Sequence, residues 1–132
     1  YPFKNDEERA LVHVDIKQDF QVKCAHIFVE SLLYNLLSNA LKAIAKAGKG
    51  ELTIRTDVQD NLHILCFKDT GAGISEYSLP AVFNHLESEL PNGEKIPGLC
   101  ICRLAIVTNG GKLLCSSKEK EHTEFIMRLP AH

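Results

Sequence analysis

Two asparagines stand one helical turn apart in an otherwise apolar stretch, as Asn35 and Asn39 of the run LLYNLLSNALKAI. At about 100° per residue, polar side chains share one stripe of such a helix and apolar side chains share the next. The polar stripe consists of Ser31, Asn35, Asn39 and Lys42, and the apolar stripe of Leu33, Leu37, Leu41 and Ile44. A buried polar group without a partner costs roughly 1–3 kcal/mol. The pattern therefore favours a ligand, a metal ion or a network of partners, with a solvated helix face as the alternative.

A second candidate for chemistry is the run Asp69-Thr70-Gly71-Ala72-Gly73-Ile74, which directly follows the strand-like residues Leu62 to Phe67. Two glycines separated by one residue allow positive φ and a close approach of main chain to a ligand. The aspartate places a hydrogen-bond acceptor at the end of the strand. Taken alone, this motif also describes an ordinary tight turn.

In this order, the two features resemble the nucleotide-binding domain of two-component sensor histidine kinases. By that resemblance, Asn35 and Asn39 belong to the N box, and Asp69, Gly71 and Gly73 to the first glycine box. The likeness extends over nearly the whole chain. It implies an α+β fold, a two-layer α/β sandwich of the Bergerat type, with a mixed, mostly antiparallel sheet of about five strands and helices packed on one face.

The resemblance implies ATP as the ligand. Asp69 would accept the exocyclic amino group of adenine and discriminate against guanine, which carries a carbonyl at that place. Gly71, Gly73 and Ile74 would lie beside the base and the ribose.

The resemblance also implies Mg²⁺, with Asn39 as the metal ligand, because Mg²⁺ keeps several waters and shares its coordination with substrate phosphates. Asn35 would lie toward the reacting γ-phosphate. Lys42 would contact a phosphate as a point charge. Asn35 and Lys42 are therefore the candidate catalytic residues.

Later segments match the family's pattern in part. Phe83 resembles the aromatic residue of the F box, and Gly98 and Leu99 match the second glycine box, usually written G-x-G-L-G-L. Ile96 replaces a glycine of that box, which affects the expected lid geometry. The run HTEF, which contains Thr123 as a further candidate nucleotide contact, resembles hybrid kinases that sense quorum-sensing autoinducers.

Periodicity and turn residues place these motifs on regular elements. A long helix is predicted from His26 to Ala47, and a second one opens at Gly98 and continues to Val107. Residues 74–97 contain three prolines around a short helical patch at 81–86, and we expect this segment to be a lid that is mobile without nucleotide. The predicted strands are 11–16, 20–23, 51–58, 62–67, 112–116 and 123–129, the first two as a hairpin.

Composition limits the class of protein. With 132 residues and 45% hydrophobic content, the chain suits one domain, residues 1–132. A net charge of −2 with interspersed signs argues against nucleic acid, and the apolar runs are too short to cross a bilayer, so no direct membrane contact is expected. Five cysteines without a CxxC pair fit a reducing compartment. We expect a cytoplasmic domain of a parent protein bound to the inner membrane.

A kinase of this type needs a phosphoacceptor histidine, which in the family is followed directly by an acid. His13, His26, His63, His85 and His122 lack that context. We therefore expect the partner to be a dimerisation or histidine phosphotransfer domain of the same parent, located N-terminal to Tyr1. A response regulator or receiver domain would then be reached indirectly.

Two rival functions remain at this stage. The first is a nucleotide-free docking module that keeps the fold, which the altered second glycine box around Ile96 favours. The second is an ATP hydrolase like gyrase or Hsp90, in which a glutamate activates water. Asn35 occupies the position of that glutamate and cannot act as a general base at neutral pH.

Overall fold

The computed structural model describes residues 10–16 and 26–130 of the chain. Within these two ranges, the long α-helices are α1 (His26–Ala47) and α2 (Leu99–Thr108), and a 3₁₀ turn spans Leu79–Ala81. The strands are β1 (Val12–Ile16), β2 (Leu52–Gln59), β3 (Leu62–Asp69), β4 (Glu87–Glu89), β5 (Lys95–Pro97), β6 (Lys112–Lys118) and β7 (His122–Pro130).

The main sheet has the strand order β1-β2-β3-β7-β6. Its neighbouring strands pair antiparallel, except that β1 runs parallel to β2. Both helices contribute to one hydrophobic core with one face of this sheet. The predicted α+β, two-layer architecture is confirmed. The strand predicted at 20–23, and with it the hairpin to β1, lies outside the described residues.

Helix α1 has the predicted bounds and ends at Gly48, whose φ of +75° favours glycine and whose N–H donates to Ile44 O at 2.9 Å. The predicted apolar stripe is wrong in part. Leu33 is 37% exposed, and the buried stripe is centred on Leu32, Leu36 and Ala40. The difference arises because α1 contacts α2 as well as the sheet, so packing partners, not periodicity alone, fix which way the helix faces.

The β2–β3 hairpin turns at Asp60 and Asn61, which have φ values of +50° and +65°. Two successive left-handed residues are typical of the tight turns that match the twist of paired strands. The register then brings Asp69, the last residue of β3, opposite Leu52 on one side and Thr123 on the other. Asp69 is thus held at the end of a central strand.

The segment between Ile74 and Gly98 contains more regular secondary structure than the sequence predicts. The helical patch predicted at 81–86 is wrong, because the helical turn is a 3₁₀ turn that begins earlier, with Pro80 in its first positions. Strands β4 and β5 form a separate two-stranded hairpin, joined at its tip by a bond from Leu90 N to Glu94 O. None of the described helices is long and apolar enough to span a membrane.

Candidate functional site

The side chain of Asp69 is 4% exposed. Burial raises the pKa of this carboxyl above its ordinary value, and the N–H of Gly71 and the charge of His122 offset part of that rise. The Gly71 N–H donates to Asp69 Oδ1 at 3.0 Å. Burial and the charge of Asp69 also raise the pKa of the Cys115 thiol to about 12. The fold therefore keeps an acceptor in a place where its negative charge costs stability.

The glycines after Asp69 are required by contacts with the protein's own backbone. A Cβ at Gly71 would lie 2.6 Å from backbone atoms of Ala43 and Ile44 in α1. Gly73 has a φ of +68°, and a Cβ there would lie 2.3 Å from Lys118 O. The first glycine box is therefore clamped between α1 and the β6–β7 turn. A role of these glycines toward nucleotide stays a prediction.

Ser117 links three parts of the site. Its hydroxyl accepts a hydrogen bond from Ile74 N at 2.7 Å and donates one to His122 O at 2.7 Å. The same oxygen lies 2.9 Å from Thr123 Oγ1. Thr123 is 3% exposed and stands opposite Asp69. Ile74, Thr123 and Asp69 are thus brought together at one end of the sheet.

The two N-box amides of α1 have different surroundings. Asn35 is 7% exposed, and its Nδ2 donates to Ser31 O at 2.7 Å and to Pro97 O at 3.0 Å. Its Oδ1 accepts a hydrogen bond from Ser88 Oγ. Asn39 and Lys42, by contrast, are exposed. Asn35 holds the β4–β5 hairpin on α1, whereas Asn39 and Lys42 are available to a ligand.

The N-terminus of α2 is covered by the chain itself. Gly98 N donates to Leu86 O and Cys100 N donates to His85 O, both at 2.9 Å. A Cβ at Gly98 would lie 2.5 Å from His85 O, so this close approach requires glycine. Two N–H groups at the start of α2, where a helix can bind anions, are therefore occupied by backbone carbonyls in this structure.

Phe83 and Leu99 are packing residues in the described structure. Phe83 packs edge-on against Phe125 with ring centroids 6.1 Å apart, and the Arg103 guanidinium lies 4.7 Å from the Phe83 ring centroid. Leu99 is 1% exposed and belongs to the core. These contacts anchor the segment after the 3₁₀ turn to β7 and α2, and a nucleotide contact by either residue stays a prediction.

A cavity of about 840 Å³ borders the glycine-rich loop at Ala72, Gly73 and Ile74. Pockets that enclose small molecules commonly have volumes of about 300–1,000 Å³. The other lining residues include three lysines, which favour an anionic ligand, and they are Lys46, Ala47, Lys49, Ser75, Ser78, Glu119 and Lys120.

No group of three or more histidine, cysteine, aspartate or glutamate side chains that could hold a metal ion occurs within residues 10–16 and 26–130. This finding is compatible with Mg²⁺, which is commonly bound through one or two protein oxygens together with phosphates and waters. An exposed amide such as Asn39 fits that requirement.

Sequence reasoning missed Ser117 and Ser88. A signal existed for Ser117, because alternation along β6 places it on the same side as the buried Leu113 and the half-buried Cys115. A polar residue on an apolar strand face requires partners. No comparable signal marks Ser88, because the β4–β5 hairpin has no strand pattern long enough to predict.

Comparisons with known proteins bear on the family and the fold of the chain. The family model described as histidine kinase-, DNA gyrase B- and HSP90-like ATPase matches residues 25–132. The CAI-1 autoinducer sensor kinase/phosphatase CqsS of Vibrio cholerae is 26% identical over 132 residues, which are 100% of this chain and 19% of CqsS. The autoinducer 1 sensor kinase/phosphatase LuxN of Vibrio campbellii is 27% identical over 130 residues, 98% of this chain and 15% of LuxN. The chain thus spans about a fifth or less of the length of these relatives.

Among solved structures, the nucleotide-free catalytic domain of the histidine kinase ThkA superposes with a TM-score of 0.72 at 22% identity. The match covers 96% of this chain and 84% of that domain. At this identity, the match bears on the fold alone.

Proposed function

Because the chain belongs to the family of histidine kinase-, DNA gyrase B- and HSP90-like ATPases, we propose that it is the ATP-binding catalytic domain of a two-component sensor histidine kinase. In this proposal it transfers the γ-phosphoryl group of ATP to a histidine in the dimerisation domain of its parent. A response regulator or receiver domain would receive the phosphoryl group afterwards. The parent would be bound to the inner membrane, with this domain on the cytoplasmic side.

The observation that carries the proposal is the buried carboxylate of Asp69 at the end of β3. One backbone N–H among the described residues, that of Gly71, donates to it, and burial raises its pKa. A structural role would not require an acid here, because an amide could accept the same bond. A ligand that offers a hydrogen-bond donor, such as the amino group of adenine, explains why an acceptor is kept there.

Exposed residues of α1 supply the complementary chemistry. Asn39 offers an amide oxygen to Mg²⁺, and Lys42, three residues later, carries a positive charge toward solvent. Phosphoryl transfer depends mainly on positioning and charge neutralisation, and Mg²⁺ when bound supplies much of the latter. The chain's own task is to hold the nucleotide and its metal at this face of α1.

A second function, the nucleotide-free docking module, is favoured by one specific observation. The carbonyls of His85 and Leu86 accept hydrogen bonds from the N–H groups at the start of α2, and the buried amide of Asn35 is hydrogen-bonded to the β4–β5 hairpin. A domain that keeps these contacts permanently would have no need of ATP.

Calorimetric titration with ATP, with and without Mg²⁺, separates the two functions. We expect Mg²⁺-dependent binding, loss of the Mg²⁺ dependence in Asn39→Ala, and weaker discrimination against GTP in Asp69→Asn. Lys112→Ala is a matched surface control, because Lys112 is exposed at the start of β6 and does not line the cavity at the glycine-rich loop. Absence of ATP binding by the folded wild-type domain would support the docking module. Unchanged binding in both Asn39→Ala and Asp69→Asn would show that these two residues do not form the nucleotide site.

A further inference from the structure

Ser117 occupies a position in which all its hydrogen-bonding capacity is used. A serine hydroxyl has one donor hydrogen and two acceptor lone pairs. The hydrogen goes to His122 O, because a carbonyl oxygen can only accept. One lone pair accepts the N–H of Ile74. The second lone pair is therefore available to Thr123, whose Oγ1 lies 2.9 Å away.

This inventory fixes the direction of the bond between the two hydroxyls. Ser117 has no second hydrogen to offer, so Thr123 must be the donor in the pair. A threonine hydroxyl also has a single hydrogen. Once that hydrogen is donated to Ser117, the Thr123 hydroxyl has only lone pairs left and can only accept further hydrogen bonds.

Thr123 stands opposite Asp69 in the β3–β7 register, and both residues are buried. Side chains of directly opposed residues lie on the same face of a sheet, with Cβ atoms about 4.5–5.5 Å apart. An ionised carboxylate likewise only accepts. The end of the sheet therefore presents two neighbouring acceptors and selects a ligand group that donates.

We propose that Ser117 is a specificity-determining positioning residue, which makes Thr123 an acceptor and so tunes the site for the amino group of adenine over a carbonyl at the same place. The inference rests on the proposed ATP-binding function. Its content is separate, because it concerns base discrimination and a residue that need not touch the nucleotide. In Ser117→Ala, the hydroxyl of Thr123 is released to rotate and can donate to a carbonyl.

The test compares Mg²⁺-ATP with Mg²⁺-ITP, whose base carries a carbonyl in place of the amino group, by calorimetry on the whole 132-residue chain. Wild-type protein should prefer ATP. The preference for ATP over ITP should fall about five- to tenfold in Ser117→Ala. This is the change expected when one hydrogen bond no longer discriminates between the two bases. Ser117→Thr keeps the hydroxyl and should restore the preference.

Two further variants isolate the mechanism. Thr123→Val should lower the preference by the same factor, and adding Ser117→Ala to it should lower it no further, because Ser117 acts through Thr123. Ser116→Ala is the matched control, since Ser116 is the adjacent residue of β6 and is exposed on the opposite face. If Ser117→Ala fails to fold, Ser117→Cys is used, because a thiol is a poor donor and acceptor of similar size.

Equal weakening of ATP and ITP in Ser117→Ala, with an unchanged ratio, would overturn the inference and leave the proposed function intact. Additive losses in the double variant would also overturn it. Failure of the wild-type chain to bind ATP would overturn both the inference and the proposed function.

Discussion

Replacing Asn35 by alanine should release the β4–β5 hairpin from α1. The change removes two hydrogen bonds between elements, to Pro97 O and from Ser88 Oγ, and one within the helix, to Ser31 O. A typical intramolecular hydrogen bond contributes about 0.5–1.5 kcal/mol net, and an unsatisfied buried partner adds to the loss. We therefore expect Asn35→Ala to lower the free energy of unfolding by about 2–4 kcal/mol. Ser88→Ala removes one of the three bonds and should cost about 1 kcal/mol.

Urea unfolding measures these costs, and hydrogen exchange of residues 86–98 locates them. In the wild-type domain, the amides of Leu90, Gly93 and Gly98 should be protected, because each donates to a backbone carbonyl. Asn35→Ala should raise their exchange rates more than those of β3 and β7. Asn39→Ala is the matched control, since Asn39 is an exposed asparagine on the next turn of the same helix and should change stability by less than about 0.5 kcal/mol.

Equal effects of Asn35→Ala and Asn39→Ala on hairpin exchange would refute the assignment of Asn35 as the hairpin's anchor. The experiment also tests the expectation that residues 74–97 are mobile without nucleotide. The hydrogen bonds divide that segment, because the hairpin is tied to α1 and α2 while Glu76 and Tyr77 are exposed. We expect fast exchange of amides in the exposed part and slower exchange in the hairpin.

Two other predictions concern the loop that follows β3. The folded chain holds a proton on Asp69 more tightly than the unfolded chain does, because burial raises the pKa of this carboxyl above its ordinary value of 3.8. The free energy of unfolding should therefore fall as pH rises above 3.8. Asp69→Asn should stabilise the nucleotide-free domain at pH 7, and thermal melts should show that this advantage disappears below about pH 4. An Asp69→Asn variant less stable than wild type at pH 7 would contradict this sign. Gly73→Ala should destabilise the domain by more than about 2 kcal/mol, because the added Cβ would lie 2.3 Å from Lys118 O. Gly48 has a similar positive φ but no atom within 4 Å of an added Cβ, so Gly48→Ala should cost only about 1 kcal/mol of backbone strain. Equal costs of the two variants in denaturant titrations would refute the packing role of Gly73.

Local signals in the sequence predicted the elements that are long or sharply punctuated. Helix α1 follows from an uninterrupted 3.6-residue pattern that ends at Gly48, and the β2–β3 hairpin follows from two strand patterns around a polar turn. The direction in which α1 faces could not be predicted, because it depends on α2, which lies far along the chain. Leu33 is accordingly exposed although its spacing predicts burial.

The position of Asp69 could be predicted from the sequence, whereas the partners of Asn35 could not. Asp69 stands at a strand end because a hairpin pattern precedes it, so its place follows from local sequence. The partners of Asn35 did not follow, since Ser88 and Pro97 are more than 50 residues away and belong to strands of three residues each. Strands this short carry no periodicity to read.

Phosphoryl transfer is the most direct measurement of the central claim. The domain is incubated with Mg²⁺ and γ-labelled ATP, alone and together with the separately produced dimerisation domain of its own parent protein. We expect label on the added domain that is stable to base and labile to acid. The label should be strongly reduced by Asp69→Asn and Asn39→Ala and retained in Lys112→Ala, and this chain alone should carry none. Acid-labile label on the isolated chain, or no transfer to the dimerisation domain by a wild-type domain that binds ATP, would contradict it.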